Sequence, residues 1–293
     1  MINRTFVPVS RRITSHLRAP LYQTGFTLVE MMIAVTLGLI VLLAIGSIYI
    51  GSRQTYRVQE DNARLQEAGK YALEVIGRSL RQAGADSEMN FNATVITQEC
   101  SVAGVCTPIT GVNGAAAAPD TLTVQFYAGR EELDGGVWIT RDCTGGQVQF
   151  VAPGVVITNQ LEVAADATSL ATGNGLSCTG SAGGQETLVS DVEDMQVLYG
   201  IDTTIPIDQT ADQYIEAPTA AQWPLVVTAR VCVLLQSANN GLTATPQRYL
   251  NCAGALGTAT GAAAFTTAGA GDLRLHRSFV ATYNLRNRIN GTP

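Results

Sequence analysis

One carboxylate stands alone in a long apolar stretch of the chain, and its position limits the chemistry it can perform. From Phe26 to Ile50 the only charged side chain is Glu30. An unpaired charge inside a bilayer costs on the order of a few kcal/mol, so Glu30 is a functional candidate whose natural partner is a cation at similar depth. The alternative is a first-turn helix residue, which the helix dipole favours by about 0.3–1 kcal/mol. We favour the pairing role.

The element that must position Glu30 is a candidate membrane helix preceded by a basic segment. A run of about 20 apolar residues is long enough to cross a bilayer as a helix. Residues 1–25 contain four arginines and no acid, which keeps them cytoplasmic and directs the chain after Ile50 outward. A secretory signal peptide is cleaved after its apolar core, whereas the small residue Gly25 lies before it. Cleavage at Gly25 would therefore leave the helix on the mature protein.

The residues Gly25-Phe26-Thr27-Leu28-Val29-Glu30, followed by the apolar run, resemble the class III signal of type IV prepilins and type II secretion pseudopilins. The resemblance implies that a membrane-embedded prepilin peptidase cuts after Gly25 and methylates the new N-terminal residue, Phe26. It also implies that Glu30 takes part in assembly. The amino group of Phe26 on a neighbouring subunit would then be its cationic partner.

The helical pattern continues beyond the apolar segment, where it changes from uniformly apolar to amphipathic. Charged residues interrupt the apolar run from Arg53 onward, while apolar residues recur at helical spacing at Leu65, Ala68, Tyr71, Ala72, Val75, Ile76 and Leu80. Gly84 is the predicted stop signal. The pattern predicts one helix from Thr27 to about Ala83, with a stripe that packs on a globular domain.

Beyond Gly84 the apolar pattern has a period of two, which predicts β-strands. The candidate strands are residues 121–127, 147–151, 187–189, 195–200, 226–235 and 278–285. The last two are expected to be neighbours in an antiparallel sheet, which suits an alternating pattern. Stretches rich in Ala, Gly, Thr and Asn predict loops at residues 111–118, 168–184 and 254–270.

Three further segments, residues 53–60, 191–202 and 285–288, resemble the PilW family of type IV pilus minor pilins. The resemblance implies an α+β, type IV pilin-like fold, with a long N-terminal helix on an antiparallel β-sheet domain with long loops. The expected organisation is a leader (1–25), a transmembrane half-helix (26–50), an amphipathic half-helix (51–84) and a β-rich periplasmic or extracellular domain (85–293).

Six cysteines follow the membrane segment, and an even number in an exported domain predicts disulfide bonds. Many connectivities are possible; pairing of nearest neighbours asks for the shortest loops and is favoured. The expected pairs are Cys100 with Cys106, Cys143 with Cys178, and Cys232 with Cys252.

Metal binding is not expected. No pair of cysteines has the spacing of a zinc site, and only His276 remains once the leader is removed. Asp191, Glu193, Asp194 and Asp202 could offer oxygen ligands to calcium, but they lack the loop of an EF-hand. A solvated acidic turn before a strand is the favoured interpretation.

Composition argues against two other classes of function. Removing residues 1–25 changes the formal net charge from −6 to −10, which disfavours nucleic-acid binding. A hydrolase needs a nucleophile, a base and an orienting group, and the chain has neither a GxSxG motif nor a second mature histidine. Arginines 274, 277, 286 and 288 make the C-terminal strand basic. They could dock an acidic partner, although surface ion pairs are the default.

The expected function is therefore structural and not enzymatic: a low-abundance pilin that primes assembly at the fibre tip and supports twitching motility and adhesion. The alternatives are a minor pseudopilin of a type II secretion system and a tip adhesin whose middle loops bind a surface. The expected partners are the prepilin peptidase, other minor pilins, the major pilin, the inner-membrane assembly platform and membrane lipid. No cofactor is expected. The chain should reside in the inner membrane, N-terminus inside, before it enters the surface fibre.

Overall fold

The structure, a computed structural model, describes residues 25–85, 107–115, 118–129, 132–150, 155–169, 173–204 and 208–287. The chain divides into two compact units, Met1–Arg53 and Gln54–Pro293. Helix α1 (Leu28–Gln82) crosses this boundary without a break. Within the described residues it is the one helix long and apolar enough, by length and composition, to span a membrane. The prediction of one helix from Thr27 to about Ala83 is confirmed to within one residue at each end.

The C-terminal half of α1 buries one face, which differs from the predicted stripe in a specific way. Leu65, Ala72, Ile76 and Leu80 are buried as expected. Tyr71 is 54% exposed, because one residue of helix turns the side chain about 100° away from Ala72. Glycines 69 and 77 complete the buried face, a contribution that an apolar pattern cannot reveal. Gly84 ends the helix with φ +71°, in the left-handed conformation that glycine adopts without steric cost.

The remaining described residues form strands, one further α-helix and short 3₁₀ helices at Trp223–Leu225 and Gly261–Ala264. In chain order the strands are β1 (Ile109–Val112), β2 (Thr121–Tyr127), β3 (Glu132–Asp134), β4 (Val137–Arg141), β5 (Gln147–Gln149), β6 (Val156–Ala165), β7 (Asn174–Thr179), β8 (Gln185–Ser190), β9 (Val192–Ile201), β10 (Gln213–Ile215), β11 (Val226–Gln236), β12 (Arg248–Leu250), β13 (Phe265–Thr267) and β14 (His276–Asn284). Helix α2 (Cys252–Leu256) lies between β12 and β13.

All strand pairs in the described residues are antiparallel. The larger sheet has the order β1-β2-β6-β7-β8, and a second sheet has the order β10-β9-β11-β14. The strands β3-β4-β5 and β12-β13 form two small sheets. The α+β fold class is thereby confirmed. The expected pairing of residues 226–235 with residues 278–285 is also confirmed, because β14 pairs with β11 over the whole length of β14.

One hydrophobic core joins the C-terminal half of α1 to both large sheets. It contains Ile76 and Leu80 from the helix, Leu122 and Ile157 from the first sheet, and Val231 with its neighbours from the second. A smaller cluster on the opposite face of β11 includes Cys232, Leu234, Tyr249 and Leu256. Strand β11 is therefore buried on both faces, which explains its nearly continuous apolar sequence.

Two of the predicted loops contain regular structure, so the expectation of long loops there is wrong. Residues 168–184 include β7, a central strand whose Leu176 and Cys178 are fully buried. Residues 254–270 include most of α2 together with β13. Strand β7 is paired by β6 and β8, strand β13 is paired by β12, and Asn251 caps α2. Whether a segment forms a strand depends strongly on such neighbours. Gly111 and Val112 likewise belong to β1 rather than to a loop.

Among the described residues two disulfide bonds are formed, and both follow nearest-neighbour pairing. Cys143, after β4, is bonded to Cys178 in β7, and Cys232 in β11 is bonded to Cys252 at the start of α2. No cysteine among the described residues is free. The predicted pair Cys100 and Cys106 lies outside the described residues.

Candidate assembly site

The predicted processing site lies directly before a capped helix. Gly25, Phe26 and Thr27 are not helical, and α1 begins at Leu28. The hydroxyl of Thr27 accepts a hydrogen bond from the backbone N–H of Glu30 at 3.2 Å. This bond satisfies one of the donors that a helix start leaves without a partner. Phe26 is 84% exposed, so the Gly25–Phe26 peptide bond is accessible.

Glu30 lies in the first turn, yet its carboxylate is not used to complete the cap. In a full capping box the Glu side chain would accept the N–H of the capping residue, here Thr27. Within the described residues the Glu30 side chain makes no hydrogen bond or ion pair, and it is exposed. The carboxylate is therefore available to a partner outside the described part of the chain.

The apolar segment that follows Glu30 needs an apolar environment. Large apolar side chains between Leu28 and Ile50 are all more than half exposed in the structure. A continuous exposed apolar surface of this size marks contact with a membrane or with partner proteins. The segment can therefore lie in a bilayer or pack against similar helices.

The C-terminal half of α1 is held by β14 through close aromatic contacts. A β-carbon at Gly69 would lie 2.6 Å from Cζ of Phe279, and one at Gly77 would lie 2.9 Å from Cζ of Tyr283. Real β-carbons do not approach so closely, so both rings occupy space that only glycine leaves open. The two glycines therefore allow α1 to pack closely against the aromatic rings of β14.

Three hydrogen bonds from two residues of the C-terminal region reinforce this contact. The Tyr283 hydroxyl donates to the Leu73 carbonyl at 2.6 Å, and burial raises the pKa of Tyr283, which keeps the donor protonated. The Asn287 side-chain amide donates to the carbonyls of Arg81 at 3.0 Å and Ala83 at 3.1 Å. Asn287 thus satisfies carbonyls at the helix end that would otherwise lack partners. The sequence pattern placed Tyr283 in a strand but predicted neither residue's contact with the helix.

A buried carboxylate fixes the helix at a point nearer its start. Asp61 is only 5% exposed and accepts two hydrogen bonds from the Asn239 amide, at 2.9 and 3.2 Å. Asn239 lies in the connection after β11. A buried polar group is tolerated when it is hydrogen-bonded, and this pair meets that condition. Asp61, Tyr283 and Asn287 together hold the helix from residue 61 to residue 83.

The acidic residues considered for calcium do not form a ligand cluster among the described residues. Glu193 contacts His276, and Asp194 accepts a hydrogen bond from Gln196. Asp202 is fully buried and accepts hydrogen bonds from Thr204, Asp208 and Gln209. The interpretation as a solvated turn is therefore wrong for Asp202, whose role is to organise its own loop. In the part of the chain that the structure describes, no group of acidic, histidine or cysteine side chains could hold a metal ion.

His276 is likewise part of the packing. Its ring is stacked on Tyr249 with centroids 4.4 Å apart. Its Nδ1 lies 2.9 Å from a Glu193 oxygen, and its Nε2 lies 3.2 Å from an Asp272 oxygen. The imidazole is buried between β9, β12 and the segment before β14, where it links three parts of the domain.

Comparisons with known proteins match both ends of this arrangement. Residues 21–46 match the family model of the prokaryotic N-terminal methylation motif, and residues 163–287 match that of the type IV pilus-assembly protein W, PilW. The chain therefore resembles type IV pilins in two segments, a prepilin methylation motif and a PilW-like region. The first match contains Gly25, Phe26 and Glu30, and the second contains the Cys232–Cys252 bridge and Asn287. The PilW match indicates a structural protein and not an enzyme.

A type IV-like pilin from Thermus thermophilus is similar in structure, with 15% sequence identity, a TM-score of 0.43 and coverage of 78% of this chain and 98% of that one. No match was found among curated proteins. Neither family match covers residues 47–162.

Proposed function

We propose that the protein is a minor pilin, a low-abundance subunit that helps to prime assembly of the type IV pilus and lies at or near the fibre tip. In this role it supports twitching motility and adhesion. The observation that carries the proposal concerns the carboxylate of Glu30, which is exposed and has no hydrogen-bond partner among the described residues. It lies at the start of an exposed apolar helix, within the prepilin motif.

The steps before assembly follow from the same motif. Prepilin peptidase cleaves the bond between Gly25 and Phe26, and Phe26 is N-methylated. Before assembly the protein resides in the inner membrane, with its N-terminus in the cytoplasm and its PilW domain in the periplasm. It then associates with other minor pilins and the major pilin at the inner-membrane assembly platform.

Glu30 has different surroundings in these two states. Near the edge of the bilayer, water and lipid headgroups solvate the carboxylate. Among packed apolar helices of the fibre only a positive partner offsets the loss of that solvation. The amine of Phe26 on an adjacent subunit has the required charge at a similar level of the helix.

Glu30→Gln and Glu30→Val test the proposal. Both variants should insert and be cleaved normally, but they should enter pili less and co-purify less with other pilins. Glu67→Gln is the matched control, because Glu67 is an exposed helix carboxylate outside the apolar segment. If both Glu30 variants restore normal piliation to a deletion strain, Glu30 is only a first-turn residue and the proposal fails.

A minor pseudopilin of a type II secretion system is the near alternative, since that class uses the same N-terminal signal. The deletion strain separates the two functions. Loss of pili and twitching with normal protein secretion supports the pilus role. Loss of secretion with normal pili supports the pseudopilin role.

One observation favours an additional adhesive role for the middle of the chain. Leu133 in β3 and Trp138 in β4 are directly paired across a hairpin, and they are 57% and 39% exposed. An exposed aromatic and aliphatic pair of this kind is a candidate contact surface. Trp138→Ser should reduce adhesion while piliation stays normal. A variant that adheres normally would exclude this role for the hairpin.

A further inference from the structure

Strand β14 is the last strand of its sheet, and its hydrogen-bonding pattern can be assigned residue by residue. The Leu285 N–H donates to the Val227 carbonyl at 2.9 Å, and the Ser237 N–H donates to the Leu275 carbonyl at 2.8 Å. Backbone groups of alternate residues point toward and away from the partner strand in an antiparallel pair. Since the β11–β14 register is unbroken, the backbone N–H and carbonyl groups of Phe279, Ala281 and Tyr283 point toward β11. The residues between them, Ser278, Val280, Thr282 and Asn284, present their backbone N–H and carbonyl groups outward.

The first outward residue shows how this edge can be used. The Gln247 side chain accepts the His276 N–H at 2.8 Å and donates to the His276 carbonyl at 3.1 Å. One side chain thus forms both bonds that a neighbouring strand would form at this position. Among the described residues, the outward backbone groups of the four residues that follow have no such partner.

The open part of the edge lacks the features that usually protect one. Natural proteins guard edge strands with charged residues, proline, bulges or short length. From Ser278 to Leu285 there is no charge and no proline, and no bulge interrupts the ladder. By contrast, β10 at the opposite edge of this sheet is three residues long, and the edge strand β8 carries Glu186. The β14 edge is long, regular and neutral.

Arginines bracket this neutral edge. Arg277 and Arg286 are exposed, and neither forms an ion pair among the described residues. Arg277 lies over the Phe279 ring, 5.6 Å from its centroid. The chain as a whole is acidic, with a formal net charge of −6. The charge pattern of the edge is therefore complementary to a segment that is neutral in its middle and acidic at its ends.

We propose that the outer edge of β14, from Ser278 to Asn284, binds an extended segment of another protein by β-strand addition, and that this segment is neutral in its middle and acidic at its ends. Main-chain hydrogen bonds supply the affinity in this mode of recognition, and flanking side chains supply the selectivity. The two arginines select the acidic ends. The proposal concerns a surface of the PilW domain and does not depend on Glu30 or on the minor-pilin role.

The test uses the full-length chain in detergent micelles and two synthetic peptides. Both alternate threonine and valine; one carries glutamate at each end and the other carries lysine. The glutamate peptide should bind and slow hydrogen exchange at the amides of Val280 and Thr282. The lysine peptide should bind about threefold to tenfold more weakly, the range expected for two exposed ion pairs.

Three substitutions at one position make the test specific to the edge. Val280→Pro removes an outward N–H without removing a bond to β11, a place where strands tolerate proline. It should abolish binding while the thermal unfolding midpoint stays near that of the wild type. Val280→Lys keeps the backbone donor and adds a protecting charge, so it should weaken binding. This variant provides the test if Val280→Pro does not fold. Val280→Thr is the matched control and should bind normally.

Several results would overturn the proposal. One is a folded Val280→Pro or Val280→Lys variant that binds the glutamate peptide as well as the wild type. Another is slow exchange of the Val280 and Thr282 amides in the free protein, which would show that the edge is already covered. Failure of both peptides to bind, or equal binding of both, would also contradict it.

Discussion

The ring of Tyr283 occupies the space that a β-carbon at Gly77 would need. The hypothetical atom would lie 2.9 Å from Cζ of the ring. The same tyrosine donates its hydroxyl to the Leu73 carbonyl, one turn earlier in the helix. Gly69 and Phe279 repeat the close contact two turns away. Helix α1 can approach β14 this closely only because two of its residues have no side chain.

Gly77→Ala should therefore destabilise the domain. Overpacking costs about 1–3 kcal/mol, and the better helix propensity of alanine returns at most about 1 kcal/mol. Urea unfolding of the full-length protein in detergent, followed by tryptophan fluorescence, measures the difference. Gly46→Ala is the control, because no atom lies within 4 Å of its added β-carbon. Equal stability of Gly77→Ala and wild type would show that the Tyr283 ring is free to move aside.

Cys252→Ser should lower the free energy of unfolding by about 2–4 kcal/mol. The bond to Cys232 spans 20 residues and joins β11 to α2 within the smaller hydrophobic cluster. Thiol titration of the denatured, unreduced proteins provides the accompanying readout. Wild type should show no reactive thiol, because all six cysteines follow the membrane segment, and the variant should show the thiol of Cys232. Reactive thiols in exported wild-type protein would contradict the predicted pairing.

Asp202 should make the domain sensitive to acid. Burial alone would raise the pKa of this carboxyl, but hydrogen bonds from Thr204, Gln209 and Asp208 outweigh it and lower the pKa below its usual value. A lowered folded-state pKa means that the stabilisation is present above the unfolded-state value, near 4, and is lost as the pH falls through the folded-state value. The stability difference between wild type and Asp202→Asn should therefore be larger at pH 6 than at pH 3. Urea unfolding at both pH values measures it, and a difference that grows at pH 3 would reverse the assignment.

Processing should remove residues 1–25. Mass spectrometry of the mature protein should find an N-terminus at Phe26 that carries one methyl group. Gly25→Val should leave the leader attached, because the peptidase requires a small residue before its cut. Thr27→Ser keeps the helix-capping hydroxyl and should be processed normally. A mature N-terminus at Met1 or beyond Ile50 would contradict the pilin assignment.

Local sequence patterns were sufficient for the elements with strong periodicity. The apolar run and the helical spacing that follows it predicted α1 almost to the residue. The alternation in residues 121–127 matched β2, and the strand candidates at residues 226–235 and 278–285 proved to be the neighbours β11 and β14. These predictions held because each segment carries its own apolar face, which must be buried in one way. Glu30 was found for the same reason, since a single charge contrasts with an apolar run.

Other features were decided by neighbours in space. Strand β7, with the sequence Asn-Gly-Leu-Ser-Cys-Thr, is a strand because β6 and β8 pair with it on both sides. Gly69 and Gly77 belong to the interface because Phe279 and Tyr283 fill the space above them, and no apolar pattern records a missing side chain. Asp202 is buried because backbone donors converge on it. The sequence alone determined the long apolar helix, its lone carboxylate and the main strands. Only the tertiary structure decided how the helix is held, because that contact depends on shape and hydrogen bonds between residues far apart in the chain.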